Sequence, residues 1–107
     1  MAKKKNRLTE TEIGLAVLQI MASSAGGKAS VRTIVKEIPN YLKLTEDDHA
    51  ASETRTNEEI WEQQVRNLVS HKTTPGNMFA EGHAIQASKG VWQITDAGKL
   101  YLKHKGF

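Results

Sequence analysis

Between Thr11 and Ser24 the apolar residues Ile13, Leu15, Ala16, Val17, Leu18, Ile20 and Met21 recur at three- and four-residue spacing, after acidic residues that suit a helix start. A helix over about Thr11–Ala25 with this many apolar positions is buried on most of its surface. The composition agrees with such a core. At 107 residues, 38% hydrophobic and 25% charged, with 2 Pro and 8 Gly, the chain has the balance of one ordinary folded domain.

No stretch approaches the roughly 18 apolar residues of a membrane span, and the Lys-rich start runs into Leu8-Thr9-Glu10-Thr11-Glu12 rather than an apolar signal core. The absence of Cys excludes disulfides, thiolate zinc sites and cysteine nucleophiles. These features predict a soluble cytoplasmic protein with no membrane partner. It has a basic flexible tail, residues 1–9, and one domain, residues 10–107.

Gly26-Gly27 supplies a helix stop, and Ser30 stands as an N-cap before Val31, Ile34, Val35 and Ile38. This predicts a short second helix, Val31 to about Ile38, which Pro39 ends or whose boundary it marks. Thr45 before Glu46-Asp47-Asp48 reads as a capped helical turn. Thr56, with Glu59 three residues on, reads as the cap of a third helix running to about His71. Its apolar side holds Ile60, Trp61, Val65, Leu68 and Val69; Asn57, Gln63, Arg66, Asn67 and Ser70 fall on the other. Thr73-Thr74-Pro75-Gly76-Asn77 has strong turn chemistry. The alternating run Val91-Trp92-Gln93-Ile94-Thr95 then predicts a β-hairpin turning at Ser88–Gly90, and Thr95 or Asp96 caps a last helix that ends basic at Lys103-His104-Lys105.

Helix, short helix, helix, hairpin and closing helix is an α+β, mainly α, order. It is that of a winged helix-turn-helix: a three-helix core, a two-stranded β-hairpin wing and a C-terminal helix. Particular residues also point to a family. Trp61–His71 followed by Gly90–Gly98, and the run Leu44-Thr45-Glu46 leading through an acidic loop to Arg55-Thr56-Asn57, resemble the winged-helix domain at the N-terminus of Mrr-type restriction proteins and related nuclease-associated modules. The resemblance covers most of residues 11–103, and the pattern around Trp92 and Gly98 is its most specific part. The chain departs from the family in a longer stretch from Thr73 to Lys89 and in having no nuclease domain after it. The resemblance implies a targeting or modification-sensing DNA-binding module of a restriction-type system, non-catalytic by itself. Its implied partners are double-stranded DNA, modified or not, and a nuclease domain or subunit, with the module a monomer or weak homodimer.

The net charge of +3 resides in the tail: Met1–Arg7 holds four bases and no acid, leaving 11 bases against 12 acids. Within the body, Lys28–Lys43 carries four bases and one acid, Leu44–Glu62 seven acids and one base, and residues 63–107 six bases and two acids. Charge so segregated can form one basic and one acidic face, a layout common in nucleic-acid modules; solvated loops are the alternative from charge alone.

In a docked winged helix the third helix enters the major groove while wing and helix ends meet phosphate. On that basis Asn57, Gln63 and Asn67 are candidates for reading adenine, Arg66 for guanine or phosphate, and Arg55 and Thr56 for the groove entrance. Lys28, Ser30, Arg32 and Thr33 at the start of the second helix, Lys72 at the end of the third and Lys89 at the hairpin tip are phosphate candidates. Lys3-Lys4-Lys5 with Arg7 would be a flexible arm. For each, an ordinary solvated role is the alternative. Glu58, Glu59 and Glu62 oppose groove docking, because they load the third helix with charge that phosphate repels. They favour a competing reading, a protein-interaction winged helix. A third is a homodimeric transcriptional regulator with Leu100, Tyr101 and Leu102 as its dimer surface.

Trp61 and Trp92 lie on apolar faces and are expected in the core rather than as stacking platforms. His49, His71, His83 and His104 lack metal-ligand spacing, and no nucleophile elbow, phosphate loop or carboxylate–lysine nuclease constellation is visible. No metal, cofactor or catalytic residue is expected.

Overall fold

A computed structural model describes residues 8–51 and 58–107. Thr9 opens the first helix, α1 (Glu10–Ala22), with a reciprocal capping box. The Thr9 hydroxyl accepts from the Glu12 N–H at 3.1 Å, and Glu12 Oε1 accepts from the Thr9 N–H at 2.9 Å. Ile13, Ala16, Val17, Leu18, Ile20 and Met21 are buried, and every later α-helix packs against α1. The helix ends earlier than its apolar period predicts. Ser23 closes it, and Ala25–Gly27 forms a separate 3-10 turn in which Gly26 and Gly27 take φ of 67° and 69°.

The next element, β1 (Lys28–Ser30), is a strand that the sequence patterning does not announce. It lies antiparallel to β3 (Val91–Ile94), whose other side pairs antiparallel with β2 (Ala84–Ser88), giving the order β1-β3-β2. Ala29 and Gln86 both lie opposite Trp92 in these ladders. The β2–β3 hairpin turns at Lys89-Gly90, within the expected Ser88–Gly90, with Gly90 at φ 73°. A bulge interrupts the ladder between Gln86 and Ser88. Trp92 and Trp61 are both in the core, and Trp92 meets Phe79 edge to face with centroids 5.2 Å apart.

The second helix, α2 (Val31–Tyr41), begins where expected, with the Ser30 hydroxyl accepting from the Thr33 N–H at 3.1 Å. It does not stop at Pro39. The Leu42 N–H reaches Ile38 O at 3.0 Å, so the helical pattern closes beyond the proline. Pro39 is exposed and sits in the last turn, where its missing donor shortens the helix little.

The chain then turns around Asp48, whose side chain is fully buried. Its carboxylate accepts from the N–H groups of Leu8 and Thr45, both at 2.8 Å, and from the Thr45 hydroxyl at 3.0 Å. The Ile60 N–H donates to Ala50 O at 2.8 Å and the Trp61 N–H to Asp48 O at 3.1 Å, tying this turn to the start of α3 (Ile60–Ser70). That start is a correction: α3 begins about one turn later than a Thr56 cap requires. Glu59, expected inside the helix, is the residue before it. Its N–H donates to Glu62 Oε1 at 3.0 Å, and a bridge to Ala51 holds it extended. Thr56, with Arg55 and Asn57, lies outside the described residues.

The last helix, α4 (Asp96–His104), has its cap at Thr95, whose hydroxyl oxygen accepts from the Gly98 N–H at 3.0 Å and donates to Gly82 O at 2.6 Å. Gly98 is demanded by packing, since a Cβ there would stand 2.1 Å from His83 O. Among the described residues the architecture is α+β, four α-helices with one three-stranded antiparallel sheet. Among the described residues no helix is long and apolar enough to cross a membrane.

Candidate nucleic-acid interface

The expected contact residues separate into two groups. In the first, Ser30 pairs with Val91 and the Val31 N–H donates to Gly90 O at 2.8 Å, so the N-terminus of α2 abuts the hairpin turn. Lys28, Arg32, Thr33 and Lys89 are thereby gathered at one corner, all of them exposed. Lys28 reaches it from β1, paired with Gln93, and not from the start of α2 as expected. Ser30 is occupied as a cap: besides accepting from the Thr33 N–H, its hydroxyl donates to Thr33 Oγ1 at 3.0 Å. Lys36, absent from the sequence-based candidates, lies one helical turn beyond Arg32 and is exposed. Its four-residue spacing from Arg32 was the signal available. Among the described residues no carboxylate pairs with Lys28, Arg32, Lys36 or Lys89.

The second group lies on or beside α3. Arg66 is exposed, but its Nε–H donates to Glu58 Oε2 in an ion pair. The Arg66 side chain is 50% exposed and that of Glu58 14%. Gln63 and Asn67 are half-buried, and Lys72 is exposed just past the helix end. The other two acids also have partners within the protein. Glu59 Oε1 accepts from the Trp61 indole N–H at 2.8 Å and lies 2.8 Å from His49 Nδ1. These contacts, His49 first and Trp61 second, hold the Glu59 carboxyl below its usual value, against a smaller opposing effect of desolvation. Glu62 accepts from the Glu59 N–H. Carboxylates here suit the positive end of the helix dipole, and they meet any approaching phosphate with like charge.

Of the three residues considered for a dimer surface, Leu102 is buried in the core and Tyr101 is half-buried, which leaves Leu100 exposed. Tyr101 lines a cavity of about 220 Å³ that takes in none of the expected contact residues. Its floor is Leu15, Leu18, Leu68 and Met78, and the His83 ring stacks on Tyr101 at 4.3 Å and 18°. The stretch after Thr73 forms the outer wall through Thr74–Met78 and His83. It is anchored by Asn77 Nδ2 donating to Leu68 O at 2.8 Å. No known family model, curated protein or solved structure matches this chain.

Proposed function

We propose that the chain is a winged helix-turn-helix module that binds double-stranded DNA without catalytic activity of its own. Within that reading it is the targeting or modification-sensing part of a restriction-type system, with a nuclease domain or subunit as its partner, in keeping with the resemblance of Trp61–His71 and Gly90–Gly98. The order of elements supports the fold: helix, strand, two helices and a hairpin, with the first strand beside the hairpin's second. The hairpin is then the wing.

The observation that carries the function is the corner of Lys28, Arg32 and Lys89. The continuous β1–α2 segment contributes Lys28 and Arg32 and the hairpin turn contributes Lys89, each without a carboxylate partner among the described residues. Cations that neutralise phosphates release counterions, so binding through them weakens steeply with salt. The test is fluorescence anisotropy with a random-sequence duplex at low and moderate salt. Wild type is compared with Arg32→Ala/Lys89→Ala and with a deletion of residues 1–7. Salt-sensitive binding that survives the deletion and weakens in the double variant supports the reading. No binding, or binding lost with residues 1–7 alone, overturns it. It would favour a protein-interaction module, which the carboxylates at the start of α3 suit.

A further inference from the structure

We infer that the cavity lined by Tyr101 is a binding site for a small, largely apolar ring compound that carries an amine, and that it rejects anions. The site stands apart from DNA binding, since none of the expected contact residues lines it. Its volume of about 220 Å³ suits one or two rings; an apolar cavity of about 150 Å³ is enough to hold benzene. The floor of Leu15, Leu18, Leu68 and Met78 gives water few partners. The outer wall is fixed in place: the Gly76 N–H donates to Glu81 Oε2 at 2.9 Å, and Asn77 holds Leu68 O.

Gly14 separates a ligand site from a packing defect. It lies inside α1, where glycine is the most costly residue after proline. Its backbone is helical, and a Cβ would meet Leu68 Cδ2 at an ordinary 3.6 Å, so neither conformation nor packing demands glycine as packing does at Gly98. What glycine preserves here is open space against the floor.

The polar groups of the lining set the ligand's chemistry. His83 is fixed through its backbone, with its N–H donating to Met78 O at 2.9 Å and its carbonyl accepting from the Thr95 N–H. Its ring stacks on Tyr101, yet among the described residues neither that ring nor the Tyr101 hydroxyl has a hydrogen-bond partner. Glu10 is the one carboxylate in the lining, and no Lys or Arg lines the space. Its oxygens lie 2.9 and 3.1 Å from His71 Nδ1, which leaves acceptor capacity unused. His71 and Lys105, whose Nζ stands 5.6 Å from the Tyr101 ring centroid, are the neighbouring bases outside the lining. An amine therefore finds carboxylate, phenol and imidazole acceptors around an apolar floor, whereas an anion meets like charge.

The experiment uses three probes with one ring system: indole, cationic tryptamine and anionic indole-3-acetate. Methyl NMR titrations of wild type, Gly14→Ala and Glu10→Gln are run at about pH 8, where an ordinary histidine is neutral. Urea unfolding checks that each variant folds. Tryptamine should shift the methyl signals of Leu15, Leu18, Leu68 and Met78 saturably. It should bind severalfold more tightly than indole-3-acetate, although the chain's net charge of +3 favours the anion at long range. Glu10→Gln should abolish that preference. Gly14→Ala should weaken tryptamine about tenfold, the effect of one added carbon in a fitted apolar pocket. The inference is overturned if no probe saturates these signals, or if indole-3-acetate binds as tightly as tryptamine. It is equally overturned if the preference survives in Glu10→Gln, or if folded Gly14→Ala binds tryptamine like wild type. Should Gly14→Ala not fold, the location of the shifts and the Glu10→Gln comparison decide.

Discussion

The carbonyl oxygen of His83 occupies the space in which a side chain at Gly98 would begin: a Cβ built there stands 2.1 Å from that oxygen. The obstacle is backbone, held in place by the Thr95 N–H donating to the same carbonyl at 3.0 Å. Gly98→Ala should therefore destabilise the protein by about 3 kcal/mol, overriding the roughly 1 kcal/mol that alanine gains in a helix interior. Urea unfolding followed by circular dichroism measures the difference.

Gly14, the buried glycine of α1, gives the opposite expectation. Its Cβ would lie 3.6 Å from Leu68 Cδ2, an ordinary contact at the cavity wall. Gly14→Ala should stabilise the protein by about 1 kcal/mol, because nothing opposes the helix-propensity gain. An unchanged or lower urea midpoint would show that the cavity needs the open space.

Asp48 joins the segment before α1, the turn after α2 and the start of α3. Asp48→Asn should cost about 3 kcal/mol, since a buried amide placed against the three donors that the carboxylate accepts from leaves one of them facing another donor. Hydrogen exchange at the Leu8 and Thr45 amides should accelerate along with the global loss. A variant as stable as wild type would mean that these bonds are replaceable.

For Glu59 the sign follows from its lowered folded pKa. The unfolded chain binds the proton more readily. Stability from this group is thus complete above the unfolded value and is lost as pH falls through the folded one. Carbon-detected NMR titration should show the Glu59 pKa rising in His49→Ala, and rising less in Trp61→Phe, in the order of the two hydrogen-bonding causes. Equal pKa values in all three proteins would remove the assignment.

The elements legible in the sequence are those whose signals are local. α1 declares itself by apolar period, α2 and α4 by Ser30 and Thr95, and the hairpin by the alternation from Val91 and the turn at Lys89-Gly90. β1 is not legible, because Lys28–Ser30 is a strand through its pairing with β3 and has no pattern of its own. The start of α3 carries two overlapping cap signals, Thr56 with Glu59 and Glu59 with Glu62. The bridge from Ala51 to Glu59, a tertiary contact, goes with the second.

The candidate site divides the same way. Arg32 and Lys89 are recognisable one by one as exposed cations, but their meeting depends on the bond from Val31 to Gly90. The Glu58–Arg66 pair spans eight residues from outside the helix into it, a separation that no helical spacing rule flags.

The two edges of the sheet carry different risks. β1 offers three residues and runs directly into α2, whereas β2 offers five, Ala84–Ser88, with no charge among them and Ile85 half exposed. A regular, uncharged edge of that length is a template on which another copy can add a strand, and repeated addition builds insoluble stacks. The bulge between Gln86 and Ser88 breaks the template within the strand, so a straight partner finds no continuous row of donors and acceptors to match. An irregularity in the hairpin thus guards the chain against polymerising with itself.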